Sequence, residues 1–128
     1  MKSKILVLGS SSFSGASMVR YLLDKNEYRI YGTYRRRKNS AYLPYKWSKN
    51  FKFFKEFKID LSNNSNQLLK LITKIKPKYI IDFASICMVN ESWKNPEIYF
   101  KTNVLSKVKM VEYLSQSNFL KKYIYIST

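Results

Sequence analysis

Short apolar runs alternate with helical stretches along the whole chain, and this alternation constrains the fold more than any other feature. Five runs rich in β-branched and aromatic residues predict strands at Lys4–Leu8, Tyr28–Tyr34, Phe51–Ile59, Tyr79–Ala84 and Tyr123–Ile126. Strands that alternate with helices are typical of a parallel sheet covered by helices on both faces. Right-handed crossovers then favour the strand order 3-2-1-4-5. The sequence therefore predicts an α/β, three-layer, doubly wound Rossmann-type domain, truncated after strand five.

Three stretches between these strands carry apolar residues at helical spacing. The first is Ser14–Lys25, with a stripe at Met18, Val19, Leu22 and Leu23. The second carries Leu68, Leu69, Leu71, Ile72 and Ile75, and it must stop near Pro77. The third is a long helix that Pro96 opens, and its predicted inner face is Tyr99, Phe100, Val104, Val108, Val111 and Leu114.

Composition limits the classes of function. The net charge of +16 invites a nucleic-acid interpretation, but the lysines are spread along the whole chain, so we expect no nucleic-acid partner. No apolar run approaches the length of a membrane span, so we expect no membrane partner and a cytoplasmic location. The chain has no histidine and a single cysteine, so we expect no metal site. That cysteine, Cys87, follows an apolar run, so we expect a packed thiol.

The turn after the first strand favours an anion-binding site. Gly9 allows a sharp turn, a small residue at Ser12 would let a pyrophosphate approach the backbone, and Gly15 would let the helix pack closely on the strand. The first N–H groups of the helix would then face the phosphates. Further hydroxyl donors are available at Ser10, Ser11 and Ser14. The alternative is that the serines only cap the helix.

Five separated motifs resemble the extended short-chain dehydrogenase/reductases, which act on nucleotide sugars. The family's Gly-x-x-Gly-x-x-Gly reads here as Gly9, Ser12 and Gly15, with Phe13 where the family often has an aromatic residue. The other likenesses are Asp60-Leu61 after strand three, Phe83-Ala84-Ser85 after strand four, the pattern from Val89 through Ser92, Pro96 and Tyr99 to Asn103-Val104, and Tyr125-Ile126-Ser127-Thr128 at strand five. Within the family, the chain is most similar to sugar-nucleotide 4,6-dehydratases and epimerases, such as dTDP-glucose or GDP-mannose 4,6-dehydratase.

The resemblance implies residue roles. It places Leu61 and the segment Phe83-Ala84-Ser85 along the cofactor, and it gives the Asp60 carboxylate a contact with the adenine amino group. Asp60 could instead cap the helix that follows it. The resemblance also suggests a cofactor-side hydrogen bond for Asn103, which could instead tie its helix to a strand.

For catalysis, the resemblance implies hydride removal from the sugar C4, with Thr128 as the hydroxyl that hydrogen-bonds the reacting oxygen. The family's Tyr-x-x-x-Lys pair would lie beyond residue 128. We therefore expect residues 1–128 to be the N-terminal part of an NAD(P)-binding domain, inactive alone, with the rest of that domain and the substrate domain absent. A nucleotide-sugar substrate and a homodimer are expected for the full-length protein.

The end of strand two favours NADP over NAD. NAD users of this fold usually place an Asp or Glu there, whereas this chain has Tyr34 followed by Arg35, Arg36 and Arg37. Arginine forks suit a 2′-phosphate, so NADP is the preferred cofactor and NAD the alternative. A solvated basic loop is the competing interpretation. A non-catalytic NAD(P)-binding sensor and a basic nucleic-acid-binding module remain alternative functions.

Overall fold

A five-stranded parallel sheet forms the centre of the protein. The computed structural model describes residues 1–36 and 42–127. The strands are β1 (Lys4–Leu8), β2 (Arg29–Tyr34), β3 (Lys55–Lys58), β4 (Tyr79–Asp82) and β5 (Lys122–Tyr125). Their order is β3-β2-β1-β4-β5, with every neighbouring pair parallel, which confirms the predicted topology.

Helices cover both faces of the sheet. They are α1 (Phe13–Lys25), α2 (Ser65–Ile75), α3 (Val89–Lys94), α4 (Pro96–Phe100) and α5 (Ser106–Ser115), with a π-helical segment at Lys101–Leu105. Both α1 and α2 end on a left-handed residue, Asn26 and Lys76, and Pro77 then prevents α2 from continuing.

Side chains from β1 alternate between two cores. Ile5 and Val7 point towards α1, whereas Leu6 and Leu8 point towards α2 and α5. All four are buried, because β1 lies in the middle of the sheet with a helical layer on each side. This placement brings the carboxyl end of β1 to the centre of one edge of the sheet.

Strand three is shorter than predicted. Residues Phe51–Phe53 form a 3₁₀ turn, and β3 begins only at Lys55. The aromatic residues that suggested an earlier strand start serve a local cluster instead, because the buried Tyr45 ring lies 6.1 Å from that of Phe51 and 5.0 Å from that of Phe54.

The predicted inner face of the long helix is wrong. The helix is divided into α4, the π segment and α5, and four predicted core residues are 45–64% exposed: Phe100, Val104, Val108 and Val111. Leu114 is buried and Tyr99 is half-buried. The face that meets the sheet instead carries Thr102, Ser106, Lys107 and Met110, together with Leu114. Polar residues can occupy this face because Ser106 and Lys107 find hydrogen-bond partners there.

Candidate functional site

A cavity of about 550 Å³ opens at the carboxyl edge of the sheet. It lies where the chain leaves β1 and β4, which are neighbours although they are far apart in sequence. Strand order reverses between these two strands, and open α/β sheets bind ligands at such a switch point. The lining residues are Gly9, Ser11, Ser12, Thr33, Tyr34, Arg35, Arg36, Ile59, Leu61, Phe83, Ala84, Ser85, Ile86, Cys87, Met88 and Thr102.

The turn after β1 can only be built with glycine at two positions. Gly9 has a φ of 74°, and a Cβ there would lie 2.9 Å from the Phe83 carbonyl carbon. A Cβ on Gly15 would lie 2.1 Å from the carbonyl oxygen of Gly9. The two glycines therefore let α1 start directly above the end of β1, as predicted for an anion-binding turn.

Ser12 is the N-cap of α1. Its hydroxyl accepts a hydrogen bond from the N–H of Gly15 at 3.0 Å and donates one to the carbonyl of Gly9 at 2.8 Å. In the first turn of a helix the other N–H groups have no intrahelical acceptor, and here they belong to Phe13 and Ser14. The capping interpretation of Ser12 is confirmed, and it leaves the mouth of the turn open to the cavity.

Ser10, Phe13 and Ser14 of the predicted turn lie off the cavity wall, whereas Ser11 is part of it. Ser10 is fully buried, and its single hydroxyl hydrogen is shared between Thr33 O at 3.0 Å and Glu56 Oε1 at 2.8 Å. Its hydroxyl therefore holds the turn against β2 and β3. The side chain of Phe13 is 85% exposed, and that of Ser14 also faces solvent.

The cavity has a positive rim beside β2. Tyr34, Arg35 and Arg36 line it, and none of the described lining residues is acidic. The carbonyl of Arg36 accepts a hydrogen bond from the Ser11 hydroxyl at 3.1 Å, so the basic segment is fastened to the turn after β1. Arg37, the third arginine of the cluster, lies outside the described residues.

Opposite this rim, Phe83, Ala84 and Ser85 line the cavity, and the residues that follow extend the wall to Met88. Their contact with a cofactor stays a prediction. Cys87 is an exposed lining residue, so the expectation of a packed thiol is wrong. The strand before it ends at Asp82, and the chain then leaves the sheet.

Thr102 is the most informative residue that the sequence analysis missed. It lines the cavity and is 5% exposed, yet its hydroxyl has no hydrogen-bond partner in the part of the chain that the structure describes. A buried hydroxyl without a partner is costly, and this oxygen is itself closed off from the cavity in the structure. Only its position beside Asn103 could have drawn attention to it.

Asn103 and Asp60 have local partners. The Asn103 amide accepts from Ile86 N at 2.9 Å and donates to Ile86 O at 2.8 Å, so it ties the helix to the chain leaving β4. Asp60 Oδ1 accepts from the N–H of Ser62 at 3.0 Å and from its hydroxyl at 2.7 Å, within the turn before α2. Neither residue lines the cavity, whereas Leu61 does. Their direct contacts with a cofactor remain predictions.

Thr128, the predicted catalytic hydroxyl, lies outside the described residues. Ser127 is described and follows β5, whose carboxyl end is at the same edge of the sheet as the cavity. None of the helices among residues 1–36 and 42–127 is long and apolar enough to cross a membrane.

Comparisons with known proteins agree with this geometry. The family model described as GDP-mannose 4,6 dehydratase matches residues 6–128. A bifunctional UDP-glucose 4-epimerase and UDP-xylose 4-epimerase from Pisum sativum is 33% identical over 73 residues, which cover 57% of this chain and 21% of that protein. The chain thus spans about a fifth of the length of this curated relative.

Solved structures show the same fold. The UDP-Glc/GlcNAc 4-epimerase from Campylobacter jejuni is 28% identical with a TM-score of 0.78, covering 96% of this chain and 36% of that one. The dTDP-glucose 4,6-dehydratase from Bacillus anthracis, solved in complex with NAD, is 22% identical with a TM-score of 0.76, covering 98% and 37%. At this lower identity the likeness supports the fold alone.

Proposed function

The chain belongs to the GDP-mannose 4,6-dehydratase family, and on that premise we propose that its cavity holds an NAD(P) cofactor for chemistry on a nucleotide sugar. The observation that carries the proposal is the cavity at the switch point between β1 and β4, entered by the amino end of α1 and bordered by two arginines. A glycine turn, a helix N-terminus and a positive rim are the features that a dinucleotide requires.

The described residues fit the parts of such a cofactor. Gly9 and Ser12 form the backbone cradle for the pyrophosphate, and the apolar wall at Ile59 and Leu61 fits the adenine. When bound, the nicotinamide ring supplies a hydride acceptor for the sugar C4 carbon.

We propose NADP as the preferred form. Arg35 and Arg36 line the cavity directly after β2, where a carboxylate would otherwise bind the ribose hydroxyls of NAD. A 2′-phosphate beside two guanidinium groups makes charge-assisted hydrogen bonds, which are stronger than those between neutral groups. Solved relatives of this chain include complexes with NAD. The proposed preference for NADP over NAD therefore depends on Arg35 and Arg36 alone.

For the catalytic step we propose Thr128 as the hydroxyl that hydrogen-bonds the reacting oxygen of the sugar. The segment that carries it leaves β5 next to β4, at the edge of the sheet where the cavity opens. A tyrosine and lysine pair from the remainder of the full-length protein would complete the proton transfer. The proposed activity is therefore that of a nucleotide-sugar dehydratase or epimerase.

Titration of NADP and NAD onto the purified protein by calorimetry tests the cofactor proposal. We expect NADP to bind at least about tenfold more tightly, and Arg35→Gln and Arg36→Gln to remove most of that difference. Arg29→Gln is the matched control, because this exposed arginine lies at the opposite end of β2 and should leave both affinities unchanged. Tighter binding of NAD by tenfold would remove the role given to Arg35 and Arg36, and binding of neither would contradict the proposed function.

A further inference from the structure

A buried pair of opposite charges lies directly below the cavity. Asp82 is the last residue of β4 and is fully buried, and Lys107 is on α5, 25 residues further along the chain. The lysine Nζ lies 2.9 Å from Asp82 Oδ1 and 2.7 Å from Oδ2. Neither residue belongs to a motif described above, and neither lines the cavity.

This pair holds the backbone of one cavity residue at both of its polar atoms. Lys107 Nζ donates a third hydrogen bond to the carbonyl of Ala84 at 2.7 Å, and Asp82 Oδ1 accepts one from the N–H of Ala84 at 2.9 Å. The three donors of the ammonium group are therefore all used. Ala84 and its neighbours Phe83 and Ser85 form the cavity wall that faces the turn after β1.

The same carboxylate also reaches the edge strand. Tyr123 on β5 donates its hydroxyl hydrogen to Asp82 Oδ2 at 2.8 Å, and the N–H of Ile126 donates to the carbonyl of Asp82 at 3.0 Å. Asp82 thus joins the wall after β4 to the strand that runs towards Ser127. The Tyr125 ring lies beside the lysine, with its centroid 5.5 Å from Nζ.

Stability alone is a weak reason for such a pair. Burial lowers the pKa of Lys107, and the neighbouring Asp82 carboxylate only partly opposes this effect. Replacing a buried ion pair with uncharged residues of similar volume is often neutral or stabilising. An apolar replacement cannot form the two hydrogen bonds to the backbone of Ala84, because they need one side-chain donor and one side-chain acceptor.

We infer that Asp82 and Lys107 are positioning residues that fix the Phe83–Ser85 wall against the cofactor, an inference that rests on the proposed function of the cavity. The pair acts through the backbone of Ala84 and touches no reacting atom. Because β5 is joined to the same carboxylate, the wall and the strand leading to Thr128 keep a constant relative position.

The test compares the full protein with the double variant Asp82→Asn/Lys107→Met, which removes both charges and leaves no unpaired ion in the core. The asparagine Oδ1 still accepts from the Ala84 N–H, and its Nδ2 group can donate to the Tyr123 hydroxyl, which then acts as the acceptor. The bond from Lys107 to the Ala84 carbonyl and both charges are lost. We expect the double variant to fold with an unfolding midpoint near that of the parent. NADP binding should weaken about tenfold, the loss expected for one charge-assisted hydrogen bond. Amide hydrogen exchange at residues 84–86 should also rise about tenfold.

Lys107→Met alone is the second variant, because it leaves the Asp82 carboxylate buried without its partner and should destabilise the protein strongly. Lys109→Met is the control, since Lys109 is exposed on the same helix. Unchanged exchange and unchanged affinity in the double variant would overturn the inference, and so would failure of the double variant to fold, because the pair would then serve stability. If the parent binds neither NAD nor NADP, the proposed function fails. Amide hydrogen exchange at residues 84–86 then still tests whether Asp82 and Lys107 hold the backbone of Ala84.

Discussion

Two neighbouring turns line the cavity side by side, and they are built in opposite ways. The turn after β1 is shaped by the absence of side chains, because a Cβ at Gly9 or Gly15 would collide with backbone atoms. The turn after β4 is held by the presence of side chains, since Asp82, Lys107 and Asn103 hydrogen-bond the backbone of Ala84 and Ile86. The first is formed within seven residues, whereas the second also depends on side chains 17 to 25 residues further along the chain.

This difference has an energetic consequence. In a turn that only glycine can adopt, any added side chain collides with backbone atoms, and these atoms cannot move aside as a flexible side chain could. A turn held by side-chain hydrogen bonds loses one contact at a time, and each contact contributes about 0.5–3 kcal/mol depending on charge. Substitutions in the turn after β1 should therefore cost more free energy of unfolding than substitutions in the turn after β4.

The largest effect is expected for Gly15→Ala. In a helix this change usually stabilises by about 1 kcal/mol, but here the new Cβ would lie 2.1 Å from the Gly9 carbonyl oxygen. We expect the opposite sign, with a loss of about 4 kcal/mol or more in the free energy of unfolding. Denaturant unfolding measures it, with Ser17→Ala as the control, because Ser17 is exposed on the same helix. A stable Gly15→Ala protein would show that the turn after β1 can relax after all.

A smaller effect is expected for Asn103→Leu, in the turn after β4. The change removes both hydrogen bonds to the backbone of Ile86, and we expect a loss of about 1–2 kcal/mol in the free energy of unfolding. The exposed Asn90→Leu is the control and should change the free energy by less than about 0.5 kcal/mol. If Asn103→Leu weakens NADP binding and leaves stability unchanged, the residue contacts the cofactor directly. Asn103 would then not be one of the side chains that stabilise the turn after β4.

The smallest effect is expected for Asp24→Asn, outside both turns. Asp24 accepts from Ser48 and Arg20, hydrogen bonds that hold the pKa of its carboxyl below the usual 3.8. Because the folded pKa is the lower one, the contribution to stability is present above the unfolded value and disappears as pH falls through the folded value. We expect a slightly lower melting temperature for the variant at about pH 6 and equal values at about pH 2. A difference that persists in acid would mean that the carboxylate charge is not its source.

The contrast between the turns also explains what could be predicted from sequence. Gly9 and Gly15 appear in the sequence at the spacing that the first turn requires, and the apolar runs gave the correct strand order. No local sequence pattern predicts the ion pair between Asp82 and Lys107, because one residue lies on β4 and the other on α5. Ordinary charged residues at that separation carry no signal until the fold brings them together.

The error in the long helix has the same origin. The spacing of Phe100, Val104, Val108 and Val111 is helical and indicates an apolar stripe, but this stripe faces away from the sheet. The face that meets the sheet includes Lys107, whose cost of burial is partly offset by the ion pair with Asp82. Hydrophobic periodicity assigns the most apolar face to the core, so it selects the wrong face when an ion pair is buried. The π-helical segment Lys101–Leu105 further changes the register along this helix.

The hydrogen bond from Ser11 to the carbonyl of Arg36 bears on the entropy of binding. It restrains the backbone at the start of the basic segment before any ligand arrives, and the 3₁₀ turn at Pro44–Trp47 is fastened to α1 by Arg20. If a ligand phosphate recruits Arg35 and Arg36, as proposed above, it has mainly their side-chain rotamers to order, at about 0.5–1.5 kcal/mol each, because the carbonyl of Arg36 is already held by Ser11. More of the electrostatic attraction between the arginines and the phosphate is then retained as affinity.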